Sequence, residues 1–282
     1  MSARLAILYL THQWGPVHVR RYRRLQEETR TVADCFVLFQ AAGGETERKF
    51  APDCKVYAFD PAALPATLGY PYLTKRGIVP GCPHYPLVDF CRQHSYPYYW
   101  LIENDVEFSG NWNRLVSACA QDPADLVAAH VVPHEADPGW IWWRSLAAPQ
   151  RRPLDPAKLL RAFFPVYRIS RQGLSYIDCM LQSGWRGHYE ALIPTLLGAA
   201  GMSIRDIQHF GPLYLGTRQD PPHEVQHLDQ LSTLRWRPPV SREEFVRRFR
   251  SDVIFHPIKQ AWTFNGNTVD DLGKRNTIDG MK

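Results

Sequence analysis

The chain has 282 residues, 45% of them hydrophobic and 22% charged, with a formal net charge of +5. That is enough apolar material for a buried core, and it excludes a disordered or fibrous chain; no nucleic-acid-binding fingerprint accompanies the modest positive charge. Six cysteines without a Cys-x-x-Cys pair exclude a zinc-finger reading and, in a chain this long, imply no disulfide framework, so a reduced cytoplasmic protein is the expectation.

Residues 5–10 (LAILYL) form a continuous apolar run and predict a buried first strand, too short for a signal or membrane segment. Pro16 stands early in a helix expected to reach about Arg30, with Val17, Tyr22 and Leu25 as apolar positions. Residues 35–39 and 56–59 predict two more strands, the latter closed by Asp60. This opening is the usual start of a parallel sheet with right-handed crossovers. Neither a Gly-x-Gly-x-x-Gly nor a P-loop follows the first strand, which disfavours a dinucleotide site and a P-loop kinase. Residues 64–81 read as irregular. A helix over 83–94, with Leu87, Val88 and Cys91 facing in, feeds a fourth strand. Beyond it follow a helix at 111–120, a strand at 125–132, and a long Pro- and Trp-rich functional loop at 133–156. A short strand at 166–170 and helices at 171–183 and 188–197 come next. The last helix, 241–250, is strongly basic, with Ser241 as N-cap and Glu244 at the capping-box position. Three arginine runs, at 20–24, 151–152 and 247–250, suit solvated helix faces; the other reading is a basic patch for an anionic glycan or a peripheral membrane contact. Residues 1–264 then make one domain, with halves at 1–110 and 111–264, and 265–282 a polar, mobile tail.

The densest chemical signal is YYWLIENDVEF at 98–108, where five apolar or aromatic residues run into Glu103, Asp105 and Glu107. Acids at the carboxyl end of a buried strand sit where open α/β sheets bind ligands, and can hold a divalent cation against phosphate oxygens. If the chain stays extended, all three share one face. The alternative is an acidic turn closing a strand. Nine tryptophans suit either sugar- and base-stacking surfaces or core packing.

Four local motifs together resemble the GT-A fold of nucleotide-sugar-dependent glycosyltransferases. YYWLIENDVEF is similar to that family's strand followed by Asp-x-Asp, with Glu103 for the first Asp and Asp105 for the second. FFPVYRIS at 163–170 is placed like the segment after the acceptor loop. GWRGHYE at 184–190 is similar to the region where inverting members keep a catalytic acid at a helix start. FHPIK at 255–259 is similar to the C-terminal segment whose His completes a metal site.

The resemblance implies an α/β fold: a GT-A-like, Rossmann-related, mixed and mainly parallel sheet flanked by helices. It implies metal-dependent, inverting transfer of a sugar from a nucleoside-diphosphate sugar, most often UDP-linked, to a glycan or other hydroxyl acceptor, as in polysaccharide biosynthesis. Mn²⁺ or Mg²⁺ would be held by Asp105, with Glu103 or Glu107 in support and His256 as a further ligand whose imidazole favours Mn²⁺. Glu190 would be the general base, its ionised form favoured by the helix dipole, with Asp178 as a weaker substitute. Thr11, His12, Asp60, Lys75, Arg76, Asn104 and Lys259 would contact nucleotide or donor, and Trp140, Trp142, Trp143 and His188 the acceptor. Rival readings are a nucleotidyltransferase, a non-catalytic glycan- or partner-binding module, and a metallohydrolase built on His130, His134 and Glu135, whose required His-Glu-x-x-His helix is absent. An Asp105 buried against a basic neighbour, or turned from any cavity, would break the transferase reading.

Overall fold

A computed structural model describes residues 4–41, 50–71, 82–217, 219 and 230–259, with backbone alone at 151, 263–264 and 267–268. Elements in chain order are β1 (Leu5–Thr11), α1 (Pro16–Thr29), β2 (Ala33–Gln40), β3 (Val56–Phe59), α2 (Leu64–Leu68), α3 (His84–Gln93), β4 (Tyr98–Glu103), β5 (Glu107–Phe108) and α4 (Trp112–Ala120). Then come β6 (Leu126–Pro133), β7 (Leu160–Ser170), α5 (Arg171–Gln182), α6 (Tyr189–Ala199), β8 (Ile204–Asp206), α7 (Arg242–Arg248), β9 (Ile254–Phe255), β10 (Thr263–Phe264) and β11 (Asn267–Thr268).

The main sheet runs β3-β2-β1-β4-β7-β6-β8. Only β7 is antiparallel to its neighbours; every other adjacent pair in the sheet is parallel. The mainly parallel, mixed sheet is therefore as expected. Alternation along the strands sends side chains to two cores, as a sheet covered on both faces requires. Leu5, Ile7, Tyr9, Trp100 and Ile102 pack with Tyr22 and Leu25 of α1 and Leu115 and Val116 of α4. Ala6, Leu8, Tyr99 and Leu101 pack with Leu87 and Val88 of α3, Leu174 and Ile177 of α5, and Leu192 and Ile193 of α6. No helix among the described residues is long and apolar enough to cross a membrane.

Three expectations need correction. Residues 64–68 form α2 rather than irregular chain, ended by Gly69 at φ 68°, a left-handed value that glycine accepts without penalty. The short strand at 166–170 is the second half of an 11-residue strand. Pro165, which cannot donate to a ladder, precedes the segment paired with β4 and falls inside a register shift against β6. Two arginines from the supposedly solvated runs are buried: Arg21 pairs with Glu107, and Arg248 with Glu244. Ser241 does cap α7, accepting from the Glu244 N–H, but the Glu244 carboxylate turns inward to grip Arg235 and Arg248. The proposed tail lies outside the described residues except for Asn267–Thr268, which pairs with Thr263–Phe264.

Candidate functional site

Strand order reverses between β1 and β4: β2 and β3 extend one way, β4 and β7 the other. Such a switch point opens a crevice beyond the carboxyl ends of the strands. A cleft of about 460 Å³ lies there, lined by Thr11, His12, Gln40, Phe59, Cys82, Pro83, Glu103, Asn104, Asp105, Tyr189 and Lys259 among others. Glu103 stands opposite Leu10 in the β1–β4 register, so the first acid is fixed at the rim by the sheet itself.

The chain does not stay extended past Glu103. The Val106 N–H donates back to the Glu103 carbonyl at 3.1 Å, closing a turn that splits the three acids. Asp105 swings toward the C-terminal segment, which docks through β5–β9 pairing and through the Ile258 N–H on the Asp105 carbonyl at 2.8 Å. His256 thereby comes within 3.2 Å of Asp105 Oδ1 and 3.3 Å of Glu103 Oε2, through its Nε2. Glu107 does not join them. It accepts from buried Arg21 at 2.5 Å, and the same guanidinium donates to the carbonyls of Asn104 and Ile258. Arg21 thus ties together the two segments that carry the acids and the histidine.

Whether Glu103, Asp105 and His256 suit a divalent cation can be tested on the ring and on the carboxylate. One ligand atom from each lies within 4.8 Å of the others. His256 Nδ1 is 2.7 Å from the Arg235 carbonyl, so that nitrogen donates and Nε2 is left to face the acids. That is the second contact by which ligating histidines are oriented. Asp105 Oδ1 is buried with no aligned hydrogen bond, despite its 3.2 Å approach to Nε2. Two carboxylates, one of them with an orphaned oxygen, and an imidazole whose Nε2 lone pair is released when its proton leaves, fit a Mn²⁺-like ion. Burial opposes charge on Asp105, yet His256 and Lys259 hold its carboxyl well below the usual range. Burial likewise opposes a charged His256, but Asp105 and Glu103 raise its pKa to about 9.

Asp105 is buried against basic neighbours, one of the two conditions set as fatal; the other does not hold, because it lines the cleft. His256 is itself a ligand type, and the Lys259 side chain that pairs with Asp105 Oδ2 is 62% exposed, so nothing packed holds it there.

Other expected residues divide. Thr11, His12, Asn104 and Lys259 line the cleft, with the Asn104 amide donating to Thr11 Oγ1 at 3.2 Å. Asp60 is exposed, accepts from the Ala62 N–H, and is absent from the cleft lining, which fits a turn residue. Lys75 and Arg76 lie outside the described residues. Trp143 is buried with its indole N–H on the Asp137 carbonyl, a packing role. Trp142 stacks on His188 with ring centroids 4.4 Å apart, and Trp140 takes the Arg161 guanidinium on its face. Asp178 is engaged by Arg92 and by the Tyr70 hydroxyl, and has no opening onto this cleft.

Glu190 sits in the first turn of α6, buried, accepting from the Phe164 N–H at 3.2 Å and lying 3.8 Å from His188 Nδ1. Its expected ionisation is overturned: burial raises its pKa to about 8. A helix dipole contributes roughly 0.3–1 kcal/mol, too little against full desolvation. His188 is pushed down to about 4 by burial, so it is neutral and supplies no compensating charge. Tyr189, not Glu190, lines the cleft wall.

Sequence reasoning missed Arg21, Tyr189 and the Arg235 carbonyl. Arg21 looked like one of a run of solvated arginines, and nothing local marks the one that turns inward.

No protein-family model matches the sequence, and no curated protein does. Among solved structures, the chain is similar to a CMP:2-keto-3-deoxy-manno-octonic acid synthetase complexed with CTP (13% identity, 73% of this chain, 89% of the other, TM-score 0.40). It is also similar to mouse xyloside xylosyltransferase 1 (12%, 70% and 82%, TM-score 0.36) and to Mycobacterium tuberculosis glucosyl-3-phosphoglycerate synthase with Mn²⁺, UDP and glucosyl-3-phosphoglycerate (12%, 73% and 69%, TM-score 0.39). At these values the likeness is one of general chain path, and function has to be read from the site's own residues.

Proposed function

We propose that the protein is a metal-dependent glycosyltransferase that moves a sugar from a nucleoside-diphosphate sugar, UDP-linked in the first instance, to a hydroxyl acceptor. The single observation that carries this reading is the Glu103–Asp105–His256 group at the switch-point cleft, with Lys259 beside it. A cation bound there would supply Lewis-acid stabilisation of the leaving diphosphate. Glu103 and Asp105 supply negative ligands, and His256 a neutral one once its Nε2 proton is gone. Lys259 gives the diphosphate a point charge from the cleft wall. Thr11, His12 and Asn104 lie where nucleoside and ribose would meet the ends of β1 and β4.

Glu190 is the candidate base. As the acceptor oxygen bonds to the anomeric carbon and the carbon–oxygen bond to diphosphate breaks, the hydroxyl proton passes to its carboxylate in the ionised form; because Glu190 lies behind the cleft-lining Tyr189, that transfer needs a relaying water or a shift of the tyrosine. A pKa of about 8 suits a group that gains a proton in the transition state near neutral pH. A single displacement of this kind inverts the anomeric centre. Trp142, presented with His188, offers a flat surface for an acceptor sugar. A panel of nucleotide sugars with Mn²⁺, with and without a hydroxyl acceptor, tests the reading. Asp105→Ala should lower kcat/KM on the order of a hundredfold or more; unchanged donor turnover would remove the metal reading.

A further inference from the structure

Lys259 lies where an arriving cation would have to go. Its Nζ contacts Asp105 Oδ2, while Oδ1 of the same carboxylate faces His256. Both oxygens are therefore already next to nitrogen, and an ion entering beside the ammonium would be repelled by it. The lysine is nonetheless removable: its side chain is 62% exposed and reaches into the same cleft, so it can leave Asp105 without disturbing the core. It needs another anion to go to. A diphosphate drawn into the cleft by a cation on Asp105 provides one within the lysine's own reach.

We infer that Lys259 acts as a built-in stand-in for the cation, so that a divalent ion binds Asp105 weakly alone and tightly only in company with a diphosphate that takes over the ammonium. This rests on the metal-binding reading above and adds a specific consequence: cation and nucleotide strengthen each other's binding by the same factor, as linkage requires. It also assigns Lys259 a specificity role, discriminating the cation–diphosphate pair from either species free in solution.

The experiment is a Mn²⁺ titration of the full chain by calorimetry or by the electron-spin resonance of free Mn²⁺, with and without UDP. Four proteins are compared: wild type, Lys259→Met, Asp105→Asn and Lys55→Met. The last loses the same charge from a pair with Asp34, at the start of β2 and away from the cleft. UDP should raise the affinity of wild type for Mn²⁺ at least tenfold. Lys259→Met should bind Mn²⁺ alone at least tenfold more tightly than wild type, and UDP should then add a smaller factor than it adds to wild type, the remainder being the cation's own contact with the diphosphate. Lys55→Met should track wild type within twofold. Lys259→Met no tighter than wild type without UDP, or a matching gain in Lys55→Met, overturns the inference while Asp105-dependent Mn²⁺ binding survives. Mn²⁺ binding equal in wild type and Asp105→Asn under every condition overturns the metal reading itself.

Discussion

Glu190→Gln separates what burial does to a carboxylate from what catalysis asks of it. In the folded chain Glu190 keeps its proton up to about pH 8; unfolded, it loses it near the ordinary 4.5. Between those values the folded state holds one proton more than the unfolded, so this residue's contribution to stability is whole below about 4.5 and is lost as pH rises through about 8. At about 1.4 kcal/mol per tenfold change in the proton equilibrium, the displacement is on the order of 5 kcal/mol. Glutamine has nothing to titrate, and its Oε1 can accept from the Phe164 N–H as the glutamate does. The variant should match wild type in stability near pH 4.5 and exceed it by several kcal/mol near pH 8. Urea unfolding at the two pH values, with slopes compared to confirm that the same surface is exposed, measures this directly. Turnover should move the other way, falling roughly 10²- to 10⁴-fold on loss of the base. In wild type, activity should rise with pH through about 8 as the carboxyl ionises. A stability difference that stays flat with pH would refute the buried, protonated carboxyl, and full activity in the variant would remove Glu190 as base.

Arg21→Met should destabilise the chain by about 3–5 kcal/mol, because it leaves the Glu107 carboxylate buried and unpaired; adding Glu107→Leu should recover much of the loss, and denaturant midpoints for the single and double variants decide it. The tryptophans should part company. Trp143→Ala should cost about 3–5 kcal/mol as a buried ring is lost, whereas Trp142→Ala should raise acceptor KM while leaving donor KM in place, read from steady-state kinetics on both substrates.

How much of this was legible beforehand depends on how local each signal is. The strands β1 to β4 are runs of apolar residues with few competing interpretations, and they were read nearly to the residue. A sheet buried on both faces needs such runs, so pattern and structure coincide. Asp105 and His256 were legible because each sits at the end of an apolar strand segment, where a polar residue has a reason to be. Glu107 was misplaced because alternation was carried through a turn that the Val106 N–H closes on Glu103. Nothing in a period-two pattern announces where extension stops. Arg21 and Arg248 fail for the complementary reason. Their runs look uniform, and only the partners Glu107 and Glu244, one of them 86 residues away, select the member that turns inward.

The same contrast explains why the site is assembled as it is. Glu103 is set by the sheet, but Asp105 and His256 come from loop and C-terminal chain and meet because β5 pairs with β9, the Arg21 guanidinium bonds both segments and the Ile258 N–H closes onto the Asp105 carbonyl. His256 is held in turn by the 231–235 segment: its N–H donates to the Thr233 carbonyl and its Nδ1 to that of Arg235, whose own guanidinium is fixed bidentately on Glu244. A chain of buried charged pairs thus runs from α7 to the cleft. Such pairs add little net stability against apolar replacements, but breaking one leaves a buried charge uncompensated. Their value here is geometric. They hold a histidine nitrogen and two carboxylate oxygens within 4.8 Å of one another, while Lys259, paired with one of those carboxylates, is left on an exposed stem.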